Sequence, residues 1–575
     1  AALEFEQKLN FITEGLRFKA LASFKNWSST TNSASAGWNK YHLQDFSVDD
    51  NGVYSFVTRL QNESGGEVST DLKPGVANSG DRRFYFQAIM DYNRTFGKHD
   101  VNAMFIYNQD ELVTQLFSGD LIAALPKRKQ GVAARLSYAY DGKYLAEVNM
   151  GYNGSENFAK GHRWGFFPSI AVGYNISEEA FFEPLKNVFS NMKIRASWGL
   201  VGNDNIGGAR FVYMPTINLT GTGYTTGLDG DITYKGPVYS RYGNPEVTWE
   251  VGKKVNVGLD LQLFNSLNLT MDYFHETRTD IFQKRGTIPQ YLGTAGTKVF
   301  GNLAAMKNQG FDFAADFNKK IGKDWFISFK GTFTYAHNEI TKYDESPKYA
   351  FQSKVGQSAN IPSIMISDGL FKDPDDVKNS NQQIGGNLSA GDIKYVNISK
   401  LYGYDDDIVD ISDWVWAKNP TVPEIVYGFG PSIRWKNLDF SFFFQGVAKV
   451  SLVMSDFHPF GDNSLRNVLT WIADDRWSPD NQNINATYPR LTRDTSVNNT
   501  QRSDYWLRNA AFIKLKNAEI GYTYKNMRFY VSGMNLATFS PFKHWDPEQG
   551  GGNGLKYPTQ RVFNFGFQMT INNNR

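Results

Sequence analysis

The stretch NVGLDLQLFNSLNLTMDYF, residues 256–274, changes character at every position. Val257, Leu259, Leu261 and Leu263 alternate with Asn256, Gly258, Asp260 and Gln262. After Phe264-Asn265-Ser266 the alternation resumes with Leu267, Leu269, Met271 and Tyr273. A period of two describes a pleated strand with one apolar and one polar face, so this stretch predicts two strands joined by a tight turn. The pattern returns at 84–92, 132–140, 144–152, 325–335, 438–444 and 563–571. It predicts about nineteen strands, many of ten residues or more, the length that crosses a bilayer when tilted. Long amphipathic helices are scarce, and 178–189 is the best candidate for a short one.

The connections alternate in length. Short ones fall at 13–15, 49–52, 97–99, 141–143, 265–266, 321–323 and 436–437, and long ones at 203–245, 341–423, 455–508 and 540–560. The 178–192 connection is the one long member on the short side. A soluble sandwich has no reason to hold this parity through a whole chain. A membrane barrel does, because its periplasmic turns are short and its outer loops long. Alternation alone would equally suit a soluble sheet with one face in a core. Turn parity, strand length and an aromatic content of 15% tip the reading towards lipid on one face and a lumen on the other.

Composition removes other classes. A formal net charge of +2 gives no strong field for nucleic acid. The absence of cysteine excludes disulfides, Cys-ligated zinc and a thiol nucleophile. Mean hydropathy is −0.45, and no apolar run approaches the roughly 18 residues of a membrane helix. The seven histidines show no zinc-like spacing, and neither a phosphate-binding loop nor a GxSxG elbow is present. The acidic run Asp405-Asp406-Asp407, with Asp410 and Asp413, lacks the glycine placement of a calcium loop and reads as a solvated loop. No catalytic residues, metal or cofactor are expected.

Several segments together are similar to one family. GYNGSENFAKGHRWGFFPSIAVGYNISEEAFF (151–182), MKIRASWGLVGNDNIG (192–207) and NPEVTWEVGKKVNVGLDLQLF (244–264) carry the likeness. So do MKNQGFDF (306–313), GDIKY (391–395), RWSPDNQNINATYPRL (476–491), RNAAFIKLKNAEIGYTY (508–524), YVSGMNLATF (530–539), DPE (546–548) and YPTQRVFNFGFQMTI (557–571). In this order they resemble the SusC/RagA-type TonB-dependent outer-membrane transporters of Bacteroidetes-type Gram-negative bacteria. The resemblance implies an all-β, antiparallel up-and-down transmembrane β-barrel of 22 strands filled by a plug. Against about nineteen strands, it implies that residues 1–575 are the barrel portion only. The plug, the TonB box and the first strands would then lie outside the sequence, which opens on Ala1-Ala2-Leu3. One departure is the tail Asn572-Asn573-Asn574-Arg575, where family members end on an aromatic residue.

The family also implies the function: import of a nutrient, an oligosaccharide or glycan ahead of a peptide, and no enzymatic activity. The implied partners are a SusD-like surface lipoprotein, the TonB–ExbB–ExbD complex, outer-membrane lipid and the glycan or peptide cargo. A siderophore receptor, an outer-membrane barrel enzyme and a soluble surface-binding module are the rival classes. Cargo contacts are expected on the long loops. The candidate aromatic platforms are Tyr224, Tyr234, Tyr239 and Tyr242 in one connection, and Tyr402, Tyr404, Trp414 and Trp416 in another. Such rings also pack loops against one another. Trp477 and Pro479 sit in the family motif and read as loop architecture.

Overall fold

The computed structural model describes residues 1–571 apart from 61–68, 115–121, 123–124, 208, 290, 292–296, 405, 461–466 and 494–497. Asp405 and the tail 572–575 therefore lie outside the described residues. Among the described residues seventeen strands belong to one sheet. In chain order they are β1 (Ala2–Lys8), β2 (Leu16–Ser35), β3 (Lys73–Phe96), β4 (His99–Thr114), β5 (Lys127–Tyr140) and β6 (Tyr144–Ser155). Then come β7 (Trp164–Asn175), β8 (Phe189–Asn203), β9 (Glu250–Leu263), β10 (Leu267–Lys284), β11 (Phe300–Ile321) and β12 (Trp325–Lys342). The last five are β13 (Ile425–Trp435), β14 (Leu438–Ala448), β15 (Phe512–Tyr524), β16 (Met527–Phe539) and β17 (Val562–Met569). Among the described residues no helix is long and apolar enough to cross a membrane.

The count differs from the expected nineteen for a definable reason. Tyr41–Val48 and Tyr54–Leu60 alternate like wall strands, yet among the described residues they pair only with each other, as a separate two-stranded sheet. Their turn at 49–52 is thus the tip of a loop hairpin, not a turn between wall strands. A hairpin adds two strands, so the parity of every later strand survives. The expected short helix at 178–189 is also corrected. Two 3-10 turns stand there, Ile176–Glu178 and Ala180–Leu185, with Pro184 inside the second. Proline has no N–H to continue a helical ladder.

One compact unit holds Ala1–Tyr92, Met104–Ala133 and Asn153–Asn157. In it β1 pairs antiparallel with β2 (Phe5↔Ala20), and β2 with β3 (Phe18↔Met90, Phe24↔Phe84). Phe5, Phe24, Phe84 and Met90 are exposed on one face. The opposite face carries Arg17, bonded to Asp91 at 2.9 Å and Glu6 at 3.4 Å.

The second unit holds Asn93–Ala103, Ala134–Tyr152 and Phe158–Arg575. Its turns show why it folds as hairpins. Phe264 and Asn265 both have positive φ, as do Asp141 and Gly142, the backbone that joins right-twisted antiparallel strands. The pairing Leu263↔Leu267 closes the first of these turns. Antiparallel pairing then continues strand by strand from β7 to β17, with local register shifts such as those at Arg278/Ile281, Phe443/Phe444 and Leu515/Asn517. Phe440, Ile520, Val531 and Phe565 lie abreast on four neighbouring strands, all exposed. An apolar ribbon of this kind in water would be an aggregation hazard, and in hydrocarbon it is the required surface. Aromatic pairs also mark the exposed face of β6 and β7. Tyr144 stacks on Tyr174 at 5.2 Å, and Tyr152 on Trp164 at 4.8 Å. Tyr144 and Tyr152 lie about 26 Å apart along one strand at about 3.3 Å per residue, which at a tilt of about 40° spans about 20 Å of the roughly 25 Å apolar band of an outer-membrane barrel.

Candidate binding site on the polar face

The face opposite the apolar ribbon is built from charge pairs seated over glycines. Arg195 of β8 reaches across Gly258 of β9 to Asp272 of β10, with Nη1 donating to Oδ1 at 2.7 Å. Its Nε also donates to Asp260 Oδ2 at 3.0 Å. A Cβ on Gly258 would lie 2.6 Å from the Arg195 guanidinium carbon. The arrangement repeats six strands on. Arg528 of β16 bonds Asp439 of β14 across Gly521 of β15, and Arg528 Nη2 also donates to Glu519 at 2.6 Å. The middle strand lacks a side chain so that its neighbours can touch over it.

The family segments converge on the outer ends of these strands. Phe158, Val247 and Trp249 are buried together with Ile206 and Val212. Trp249 Nε1 donates to the Arg163 carbonyl at 3.1 Å. A larger core lies wholly in the loops, with Met365, Ile393, Tyr395, Phe457, Ile472, Trp477, Tyr488 and Trp506 buried in it. There Gly391, at φ +84°, leaves room for the Trp477 ring, and Arg490 donates to the fully buried Asp392 at 2.9 Å. The GDIKY and YPRL segments are therefore two halves of one polar lock. Lys514, with a side chain 0% exposed, is held by Asp546 at 2.7 Å and by Glu548, so the 540–561 loop is clamped onto β15. Burial alone would raise the Asp546 carboxyl; the Lys514 ammonium and the Glu548 amide outweigh it and hold that carboxyl below its usual range. Near it His544 stacks on Trp471 at 4.4 Å and faces the Tyr488 hydroxyl at 3.2 Å. Burial first and Arg508 second hold its imidazole below the ordinary value.

Two adjoining cavities open at the base of these loops. The first, about 270 Å³, is walled by Glu276, Arg278, Met306, Asn308, Ala336 and Asn338 of the strands. Residues Ala359, Asn360, Val422, Pro423 and Glu424 of the loop cap it. Glu276, Asn308 and Asn338 stand in register on β10, β11 and β12, on the polar face that carries Asp272. Asn338 Oδ1 accepts from the Ala359 amide at 2.8 Å, which fixes the loop over the wall. The second cavity, about 660 Å³, shares Ala359 and Asn360 with the first.

The aromatic candidates divide. Tyr224 (72% exposed) and Tyr234 (59%) stand out from the hairpin Thr216–Thr226 and Ile232–Arg241. Tyr239 and Tyr242 stack on each other at 4.9 Å. Tyr402 lies on Phe351 and Tyr404 on Tyr349, each with its outer face exposed. Trp414 and Trp416 meet edge to face at 5.4 Å, and Trp416 Nε1 donates to the Ser353 carbonyl, so this pair braces loops. None of the eight lines either of these two cavities. The acidic run is engaged locally. Asp410 and Asp413 cap the turn Ile411–Asp413, and buried Asp413 accepts from the Ser399 amide. Asp406 faces Lys348 at 3.7 Å. Cavity residues such as Asn308, Asn338 and Arg502 carry no local signal in the sequence; only their even-numbered places on polar faces mark the strand members.

Residues 7–536 match the family described as TonB dependent receptor-like, beta-barrel. The chain belongs to this family. TonB-dependent receptor SusC of Bacteroides thetaiotaomicron is 27% identical over 76% of this chain and 43% of its own length. TonB-dependent receptor P3 of Formosa agariphila is 25% identical over 87% of this chain and 54% of its own. The chain thus spans about half the length of the curated relatives it matches. Among solved structures, the RagAB peptide importer in its open-open state superposes with a TM-score of 0.71 at 20% identity. That match covers 97% of this chain and 59% of that one, and shows the shared fold. As a TonB-dependent receptor barrel the chain is an outer-membrane protein. Its exposed apolar ribbon is the lipid face, and the glycine-seated charge pairs face the lumen.

Proposed function

We propose that this receptor barrel imports an oligosaccharide across the outer membrane, with a SusD-like lipoprotein over its outer loops and energy from the TonB complex acting on a plug. The observation that carries the reading is the cavity under the 343–424 loop. It sits on the lumenal wall, where cargo descending from the loops would meet it. Its wall offers the carboxamides Asn308, Asn338 and Asn360 beside Arg278 and two carboxylates. Amides present both donors and acceptors and suit hydroxyl groups better than apolar peptide side chains. The exposed faces of Tyr402, Tyr404, Tyr224 and Tyr234 are proposed as outer platforms for sugar rings. The chemistry required is binding and release, with no covalent step, so the reading is that of a transporter rather than an enzyme.

The test uses the full-length receptor with its lipoprotein in cells. Asn308→Trp fills the lumenal cavity. Energised uptake of the cargo oligosaccharide is expected to fall at least tenfold while heat-modifiable migration on gels stays native. Undiminished uptake would remove the cavity from the path. Peptide uptake in place of sugar uptake would replace the cargo class.

A further inference from the structure

The second cavity differs from the first in its charge. In the first, Arg278 is neutralised by Glu276 at 3.0 Å and Glu250 at 3.2 Å. Glu424 there is engaged by His337 at 2.5 Å and Lys449 at 3.4 Å. The larger cavity is lined by uncharged residues, Asn360 and Thr421 among them, and by a single charged residue, Arg502. Arg502 is exposed, and among the described residues no carboxylate pairs with it. A guanidinium in such a place keeps its planar fork of donors open for an incoming anion.

The backbone beneath that guanidinium is fixed. The Met365 amide donates to the Arg502 carbonyl at 2.8 Å, and the Asp504 amide donates back to Met365 at 3.0 Å. Ser503 is fully buried, and its carbonyl accepts from Trp506 and Leu507. Arg502 therefore stands on a backbone turn fixed next to the loop core, so the side chain alone remains to be ordered on binding.

We infer that this cavity is a subsite for an acidic residue of the cargo, a carboxylate or sulfate carried on a sugar, taken by Arg502, with the Asn360 carboxamide contacting the hydroxyl groups of that sugar. The inference rests on the oligosaccharide reading and adds charge to it. A carboxylate presents two oxygens to the fork and a sulfate three, so both fit, and binding weakens as salt rises.

The experiment is calorimetric titration of the full-length receptor with its lipoprotein. The probes are an oligogalacturonate, a sulfated galactan oligosaccharide, a neutral maltooligosaccharide of equal length and an acidic peptide. The wild type is expected to prefer one of the acidic sugars. Arg502→Gln should weaken that sugar about tenfold or more and leave the neutral sugar unchanged, and Arg502→Lys should recover part of the loss. Which acidic sugar responds distinguishes carboxylate from sulfate. Equal binding of neutral and acidic sugars, indifference to Arg502→Gln, or failure of both acidic sugars to bind overturns the subsite and leaves the import reading standing on the neutral sugar. Binding of the peptide alone overturns both.

Discussion

At Gly258 an absent side chain matters more than the charges around it. Arg195 and Asp272 sit on strands two apart and meet only because nothing projects from the strand between. Gly258→Ala puts a methyl group into the guanidinium and forces both partners off their bonds. Overpacking of this kind costs about 1–3 kcal/mol, to be read as a lower midpoint of denaturant unfolding in detergent. A midpoint equal to that of the wild type would mean that Arg195 swings aside freely. His544 gives a second residue-level prediction. Its pKa is lowered in the folded loops, so the folded state favours the neutral ring. That contribution is complete above the ordinary value of 6.5 and is lost as pH falls through the lower folded value. Hydrogen exchange in 470–474 and 542–550 should therefore accelerate on going from pH 7.5 to pH 5, beyond the intrinsic rate change. His544→Phe, which keeps the stack on Trp471, should abolish the extra acceleration. Its persistence in that variant would assign the effect to another group.

At the scale of the element, β14 is the sharpest case of a strand read from its sequence. Leu438 and Phe440 are exposed on the lipid side, and the rings of Phe440, Phe442 and Phe444 follow one another at 5.5 and 5.6 Å. Phe443, the odd aromatic, turns to the lumen over Gly428, where a Cβ would meet its ring at 2.7 Å. Phe442→Arg places a charge about four residues above the periplasmic turn, near mid-bilayer, and should cost about 2–4 kcal/mol. Folding yield into liposomes measures it. A normal yield for Phe442→Arg beside failure of Ser441→Leu would mean that the faces are reversed. Strands of this type were legible because the period-two pattern is local. The hairpin at 41–60 carries the same pattern and differs only in its partners, which no local pattern reveals. The 178–189 segment had helical spacing, but Pro184 removed a donor. The cavities were not legible at all. Glu276 and Arg502 are 226 positions apart in the sequence, and the loops that bring such residues near one wall are folded by a buried core whose members alternate with nothing.

At the scale of the whole molecule the constraint is the sheet edge. Among the described residues β1 pairs only with β2, and β17 only with β16. Each therefore presents a row of unpaired amides and carbonyls along its other side. In hydrocarbon every such group costs several kcal/mol, and in water the row templates aggregation. Both edge strands are short, with 7 and 8 residues. Additional strands paired along these free sides would satisfy both edges, and that is the domain organisation we propose for the full receptor. Residues 1–575 expressed alone should accordingly aggregate, or fold only with a complementing piece that supplies those strands. Refolding into detergent followed by size-exclusion chromatography and planar-bilayer recording is the direct measurement. A monodisperse, heat-modifiable barrel with stable conductance from these residues alone would show that the two edges find each other, and the proposed organisation would fall.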